Sequence, residues 1–173
     1  MKEQTDEIIM AKVAQGDLDL LKILFKRHHL HVYNFLYKMC RDKMLSEDVT
    51  QEVFYNIMRY RASYKNGRFV SWMFTIARNS LRRHLQKTKV NHEDLDDVSY
   101  RLIENEEPKE DYTHLLRALD KLNPSDRELL ILNRFQEIKY AELANIVGST
   151  EGAVKTKVSR ALKKLKVIYF ENL

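Results

Sequence analysis

The residues best suited to chemistry in this chain are cations on one helical face near the C-terminus. From Lys155 to Lys166 the sequence has six basic residues and no acidic one. Lys and Arg neutralise phosphates, while Arg, Ser and Thr also hydrogen-bond to base edges. The pattern favours DNA binding over a merely solvated lysine-rich helix. The face consists of Lys155, Thr156, Ser159, Arg160 and Lys163.

The stretch before that helix predicts the turn that would position it. Leu143 and Val147 recur at helical spacing, and Gly148 supplies the left-handed residue at which a helix ends easily. Ser149 or Thr150 can then cap the next helix. The spacing predicts a helix-turn-helix, in which the second helix enters the major groove of DNA.

A second basic segment lies between residues 78 and 89, which contain no acidic residue. Aromatic residues precede it on both sides of a turn predicted at Asn66-Gly67. Exposed bases can stack on such rings for about 1–3 kcal/mol each, while cations hold the backbone. The alternative is that most of the rings belong to the core, and we expect Trp72 to be largely packed there in either case. The rings are those of Tyr60, Tyr64, Phe69, Trp72 and Phe74.

A polar stripe with one aromatic residue lies on the helix predicted for residues 45–64. The stripe recurs at i, i+3, i+4 and i+7, which places its members on one helical face. Ser46 is a plausible cap, and Tyr60 is expected to face inward. The stripe predicts a docking face for a basic partner helix and consists of Asp48, Gln51, Glu52 and Tyr55.

Composition predicts a helical chain inside the cell. The 173 residues include only four glycines and two prolines, and no run approaches the roughly 20 apolar residues of a membrane span. The N-terminus is not a signal peptide. The single cysteine, Cys40, suits a reducing cytosol and is expected to be packed. We therefore predict a cytoplasmic protein without membrane insertion.

The charge distribution predicts two domains. Residues 1–90 contain 17 basic and 9 acidic residues, residues 91–111 contain 2 and 9, and residues 112–173 contain 11 and 7. Two basic segments separated by an acidic one indicate two nucleic-acid-binding domains on a linker. The linker has too few large apolar residues to form a core, and a plain soluble spacer is its alternative. The predicted fold is all-α, with two small helical domains.

No catalytic or cofactor pattern is present in the sequence. His28 and His31 lie one helical turn apart, but no Cys, Asp or Glu at close spacing completes a metal site. The sequence lacks paired carboxylates and histidines with metal spacing, and it lacks a glycine-rich phosphate loop. We therefore predict no metal, no cofactor and no enzymatic activity. An autonomous repressor or activator is the remaining alternative, although the segments at 48–55 and 60–89 argue against it.

Three passages in order resemble bacterial RNA polymerase sigma factors, the compact extracytoplasmic-function group of the sigma-70 family. They are EDVTQEVFYNI at 47–57, FVSWMFTIARNSLRRHL at 69–85, and the segment 119–166, which contains the predicted helix-turn-helix. The resemblance implies a factor that binds core RNA polymerase and directs it to promoters. Ala153 and Lys157 depart from the residues common in the family, which leaves the exact promoter sequence open.

The resemblance also implies roles for the two domains. Residues 1–90 would bind the clamp helices of the largest polymerase subunit and would read and melt the −10 element. The polymerase contacts would be Asp48, Gln51, Glu52, Phe54 and Tyr55. The −10 contacts would be Tyr60, Tyr64, Lys65, Asn66, Phe69, Trp72, Arg78, Asn79, Arg82 and Arg83.

Residues 112–173 would read the −35 element and contact the flap region of the second-largest subunit. The linker, residues 91–111, would thread through the polymerase, and an anti-sigma factor is a common partner in this group. Gly152 is unfavourable inside a helix by about 1 kcal/mol, which close approach to DNA or a frayed first turn would explain. The −35 contacts would be Thr150, Glu151, Gly152, Lys155, Thr156, Ser159, Arg160 and Lys163.

Overall fold

The computed structural model describes residues 2–91 and 110–171, and its regular elements in those ranges are all helical. The predicted linker, residues 91–111, therefore lies almost entirely outside the described residues. The N-terminal unit contains α1 (Asp6–Ala14), α2 (Leu21–Cys40), α3 (Lys43–Arg59) and α4 (Phe69–Asn91), with short 3-10 turns at Leu18–Leu20 and Arg61–Ser63. The C-terminal unit contains α5 (Glu110–Asp120), α6 (Pro124–Leu130), a π-helical turn at Ile131–Phe135, α7 (Tyr140–Val147) and α8 (Glu151–Glu171).

The N-terminal unit is a helical bundle in which α2, α3 and α4 pack on one another and α1 closes one side. Its core is built from apolar positions that recur at helical spacing, as the sequence predicts. The rings of Phe35 and Phe74 meet edge to face with centroids 5.5 Å apart. Cys40 is buried, as predicted. The bundle fixes the directions in which α3 and α4 present their polar faces.

The predicted cap of α3 at Ser46 is wrong. Asp42 caps α3 by accepting a hydrogen bond from the Leu45 amide at 3.0 Å. Ser46 lies one turn inside that helix, where its hydroxyl donates to the Asp42 carbonyl oxygen. The carboxylate of Asp42 therefore satisfies an amide that has no partner within the helix.

The C-terminal unit contains the predicted helix-turn-helix. Gly148 ends α7 in the left-handed conformation with φ of 69°, which a residue without Cβ adopts at little cost. Thr150 accepts a hydrogen bond from the Ala153 amide at 3.2 Å and so caps α8. The α8 positions Val154 and Val158 are fully buried, so the opposite face of α8 is turned to solvent.

The two units pack against each other and share a continuous core. α4 contacts α7, and α2 contacts both α5 and α6. The half-buried Arg127 side chain crosses the boundary, donating to the Met39 carbonyl oxygen at 3.0 Å and to three carbonyl oxygens of its own unit. Burial lowers the pKa of this guanidinium. The contact places α4 of the N-terminal unit directly against the helix-turn-helix unit.

Candidate polymerase and nucleic-acid interfaces

The predicted docking stripe on α3 lies mostly in solvent. The side chains of Asp48 and Gln51 are exposed, and Tyr55 keeps 55% of its surface accessible although it is a large aromatic residue. The buried face of the same helix, including Val49 and Val53, holds α3 against the bundle. The stripe is therefore a rigidly supported surface that a partner can reach.

The other two predicted docking residues are engaged inside the N-terminal unit. Glu52 lies 2.5 Å from Nε2 of His84 and 3.3 Å from Nη2 of Arg83, both on α4. Phe54 is half-buried and packs edge-on against Phe25 of α2, with ring centroids 5.0 Å apart. These residues connect the docking stripe to neighbouring helices, which the sequence does not predict.

Most of the aromatic cluster around the start of α4 belongs to the core. Phe69 is fully buried and Tyr64 is 7% exposed, and the Tyr64 hydroxyl donates to the Gly67 carbonyl oxygen. Burial raises the pKa of the Tyr64 phenol. The prediction that Phe69 and Tyr64 contact bases directly is therefore wrong, because their rings are buried and support the loop from inside. Trp72 is partly buried and packs against the core, with its ring 5.3 Å from that of Tyr64, so the expectation that it is largely packed there is confirmed.

Three positions of the same segment reach solvent. Tyr60 is 47% exposed rather than inward-facing, because α3 ends at Arg59 and the chain turns away at that point. The Arg59 guanidinium lies 5.3 Å from the centre of the Tyr60 ring. Lys65 and Asn66 are exposed in the following turn. These side chains and part of Trp72 form a ring-and-cation edge beside the start of α4.

The basic face of α4 is partly open and partly covered. Asn79, Arg82 and Arg83 are exposed. Arg78 is half-buried, and its Nε lies 2.6 Å from Oε1 of Glu128 on α6. The arrangement leaves a cationic row on α4 whose innermost member is held by the C-terminal unit.

Arg68 is a charged residue of this face that the sequence reasoning missed. It lies in the turn before α4, is exposed, and pairs with Glu142 of α7 at 2.8 Å. Its position next to the predicted Asn66-Gly67 turn is the sequence feature that could have identified it as part of this basic face. Its carboxylate partner is 74 residues away and could not be predicted.

The predicted DNA face of α8 is exposed along its whole length. A Cβ added at Gly152 would meet nothing within 4 Å in this chain, so internal packing does not require glycine at that position. The Thr156 hydroxyl donates to the Gly152 carbonyl oxygen at 3.1 Å. The exposed residues are Thr150, Glu151, Gly152, Lys155, Thr156, Ser159, Arg160 and Lys163.

The histidines of α2 make contacts within the chain. His28 lies 2.7 Å from a carboxylate oxygen of Asp6, and the His29 ring stacks on Phe25 with centroids 4.7 Å apart. In residues 2–91 and 110–171, no group of three or more His, Cys, Asp or Glu side chains is arranged to hold a metal ion. In the same ranges, no helix has the length and apolar content needed to cross a membrane.

The sequence matches two protein families over separate segments. Residues 24–90 match the family described as Sigma-70 region 2, and residues 113–165 match Sigma-70, region 4. The first segment contains α3 and α4, and the second contains the helix-turn-helix. Each matched range thus falls within one of the two units of the structure.

Whole-chain comparisons agree with these matches. The chain is 30% identical to the RNA polymerase sigma factor CarQ of Myxococcus xanthus, covering 94% of this chain and 96% of that protein. It is 26% identical to the ECF RNA polymerase sigma factor SigM of Bacillus subtilis, covering 84% and 93% respectively. Its fold is similar to that of the sigma factor RpoE, solved in complex with the anti-sigma factor NepR from Bartonella quintana. That likeness has a TM-score of 0.76 at 23% identity and covers 85% of this chain and 94% of the other.

The chain belongs to the sigma-70 family of RNA polymerase sigma factors, in the extracytoplasmic-function group. Proteins of this family are transcription initiation factors rather than enzymes. The protein therefore binds core RNA polymerase and directs it to promoter DNA, using region 2 at the −10 element and region 4 at the −35 element.

Proposed function

We propose that core polymerase docks on the exposed stripe of α3, with Asp48, Gln51 and Tyr55 in direct contact. Two carboxylate or amide side chains beside an exposed phenol suit a partner helix that offers cations and an apolar ridge. Glu52 and Phe54 contribute from the edge of the stripe, since both also contact helices of their own unit. The largest-subunit clamp helices are the partner that the family assignment favours.

We infer that α4 and the turn before it hold the opened −10 strand. Arg82 and Arg83 would neutralise phosphates, and Asn79 would hydrogen-bond to the backbone or to a base edge. Tyr60 and the exposed part of Trp72 would stack on bases, while Lys65 and Asn66 flank the entry. Tyr64 and Phe69 shape this edge from the core and keep its loop in place.

The observation that carries this proposal is that α3 and α4 share one core. Glu52 joins the docking stripe to the basic face through contacts of 2.5 and 3.3 Å. Docking on α3 therefore sets the position of the strand-reading face relative to the polymerase. This coupled pair of surfaces argues against an autonomous DNA-binding repressor.

We propose that α8 reads the −35 duplex from the major groove. Arg160, Ser159 and Thr156 lie near the middle of the exposed face and would reach base edges, whereas Lys155 and Lys163 would contact phosphates. Thr150, Glu151 and Gly152 begin the helix, where backbone amides can approach a phosphate. An apolar surface that includes Val167 and Phe170, which are 55% and 64% exposed, would meet the flap region of the second-largest subunit.

The proposed domains are residues 1–90 for region 2, residues 91–111 for an acidic linker and residues 112–173 for region 4. An anti-sigma factor is a further proposed partner, since a solved structure of similar fold is a complex with one. The proposed place of action is the cytoplasm, where the polymerase transcribes DNA.

The test is run-off transcription with core polymerase, with and without the protein, on a library of genomic DNA fragments. We expect defined transcript starts that appear only with the protein and share −10 and −35 sequences upstream. Specific duplex binding by the protein alone, with no change in transcript starts, would contradict the proposal.

A further inference from the structure

A carboxylate of α1 holds the start of α4. Oε1 of Glu7 accepts a hydrogen bond from the Phe69 amide at 3.2 Å. Phe69 is the first residue of α4, and an amide at that position has no acceptor within its own helix. Negative charge is also favoured at a helix N-terminus. A residue 62 positions away therefore does for α4 what a local capping side chain usually does.

Glu7 is itself held in place, because α1 is fixed on the bundle. Met10 of α1 is fully buried. The carboxylate of Asp6, the residue before Glu7, lies 2.9 Å from Nη1 of Arg27 and 2.7 Å from Nε2 of His28, both on α2. The Glu7 carboxylate therefore meets α4 from a rigid support.

The ring of Phe69 is held as well as its amide. Its centroid lies 5.4 Å from that of the His28 ring and 6.4 Å from that of the Tyr64 ring. The Tyr64 hydroxyl donates to the Gly67 carbonyl oxygen, which ties together the residues just before α4. The first residue of α4 thus has little freedom to shift relative to α1.

These contacts hold one end of the turn at residues 60–68, whose other end continues from α3. The turn carries the exposed side chains of Tyr60, Lys65 and Asn66. The backbone of Asn66 is left-handed, with φ of 48°, which is uncommon for a residue other than glycine. Such a conformation persists only where the surrounding structure imposes it, so the turn depends on its anchored ends.

We propose that Glu7 is a positioning residue for −10 readout, fixing the turn at residues 60–68 in the geometry that reads bases. Base readout requires side chains held to within about 0.5 Å of the productive geometry. Arg82 and Arg83 lie several helical turns further along α4, so their contacts with phosphates do not depend on Glu7. The inference rests on the proposed role of the turn in binding the −10 strand.

The test uses holoenzyme assembled from core polymerase and the full chain. The probes are fluorescein-labelled single-stranded oligonucleotides carrying the non-template −10 sequence of a promoter mapped by run-off transcription, either intact or scrambled. Fluorescence anisotropy measures the affinity for each probe. The ratio of the two affinities is the readout, because a cap that only stabilised the fold would leave this ratio unchanged.

Three substitutions separate the reach of the side chain from its charge. Glu7→Ala removes the acceptor, and Glu7→Asp keeps the charge but shortens the side chain by one methylene. Glu7→Gln keeps both the reach and a carbonyl oxygen that can accept from the Phe69 amide. We expect the alanine and aspartate variants to lose preference for the intact probe and the glutamine variant to retain most of it.

The size of the loss depends on how often the turn keeps its geometry without the contact. If it does so in a tenth of the variant molecules, the apparent affinity for the intact probe falls about tenfold. The affinity for the scrambled probe should stay close to that of the wild type, because phosphate contacts supply it. Circular dichroism measures folding, and Glu7→Asp carries the test if Glu7→Ala does not fold.

Two control variants should keep the wild-type ratio. Glu3→Ala removes the same charge from the same end of the chain, but the Glu3 carboxylate pairs with Arg27 of α2 at 3.0 Å. Asn123→Ala removes a cap from a helix of the C-terminal unit, where Asn123 accepts from the Asp126 amide. It therefore loses a helix cap, as Glu7→Ala does, at a distance from the turn.

A wild-type ratio in the folded Glu7→Ala and Glu7→Asp variants would overturn the positioning role. So would an equal loss of affinity for both probes, the same loss in Glu7→Gln as in Glu7→Ala, or a similar loss in either control. Failure of the proposed function appears separately: wild-type holoenzyme would then show no preference for the intact probe, and the role of the turn would fail together with that of Glu7.

Discussion

Glu52 of α3 and His84 of α4 meet at 2.5 Å, and the contact joins the face proposed to dock polymerase to the face proposed to hold the −10 strand. Arg83 reaches the same carboxylate at 3.3 Å. A substitution at Glu52 therefore disturbs the basic face as well as the docking stripe. Tests of polymerase docking are sharper at positions that lack such a contact.

Asp48→Ala combined with Gln51→Ala should abolish binding of core polymerase while the chain stays folded. Both side chains are exposed, and exposed substitutions change stability by about 0.5 kcal/mol or less. A pull-down with core polymerase measures binding, and circular dichroism measures folding. The matched control is Gln15→Ala with Asp19→Ala, two exposed residues of the same types. Retained pull-down by the α3 variant would rule out the docking assignment.

Arg160→Ala should weaken recognition of the −35 element by about 1–3 kcal/mol if the guanidinium contacts a base. Binding of holoenzyme to mapped promoters, with the −35 sequence intact or scrambled, measures the effect. Lys157→Ala is the control, because it removes one charge from the edge of the same exposed helix. A loss of equal size on both sequences would instead make Arg160 a phosphate contact.

Asn123→Ala should destabilise the chain by about 0.5–2 kcal/mol through loss of a helix cap. The Asn123 side-chain oxygen accepts from the Asp126 amide at 2.8 Å, and its amide group donates to the Asp126 carboxylate at 2.9 Å. Ser125→Ala removes a hydroxyl in the same turn. That hydroxyl makes no cap, so its loss should change stability by about 0.5 kcal/mol or less. Urea denaturation measures both, and equal effects would contradict the assignment of the cap.

The buried Lys38 predicts a pH-dependent stability. Burial, with a smaller contribution from Arg41, lowers the pKa of the Lys38 ammonium below its ordinary value of 10.5. The unfolded chain therefore binds more protons than the folded one between the lowered value and 10.5. The free energy of unfolding should rise with pH across that window.

Lys38→Met isolates this effect, because it removes the titrating group and keeps an apolar stem. The difference in unfolding free energy between wild type and variant should shift in favour of the wild type as pH rises toward 10.5. Taking the difference also cancels most of the contribution of the neighbouring Tyr37, whose pKa is raised by burial. Urea denaturation at several pH values is the measurement, and parallel pH profiles would contradict the prediction.

Local features of this fold could be predicted well from the sequence. The periodicity of α8, the left-handed Gly148 and the cap at Thr150 depend on residues within a few positions of one another. The function was predicted from the family resemblance of three sequence passages. The predicted base contacts of Tyr64 and Phe69 were wrong. An aromatic residue beside a cationic helix gives the same sequence pattern whether its ring faces solvent or the core.

The sequence by itself determined the helices, the helix-turn-helix and the basic face of α8, since helical spacing and turn chemistry act over a few residues. Only the tertiary structure decided that Arg78 faces Glu128 and that Arg68 faces Glu142, across 50 and 74 residues of chain. No local pattern encodes such pairs, because they depend on how the two helical units pack against each other. That packing distinguishes a cation that is free to bind DNA from one that is already held.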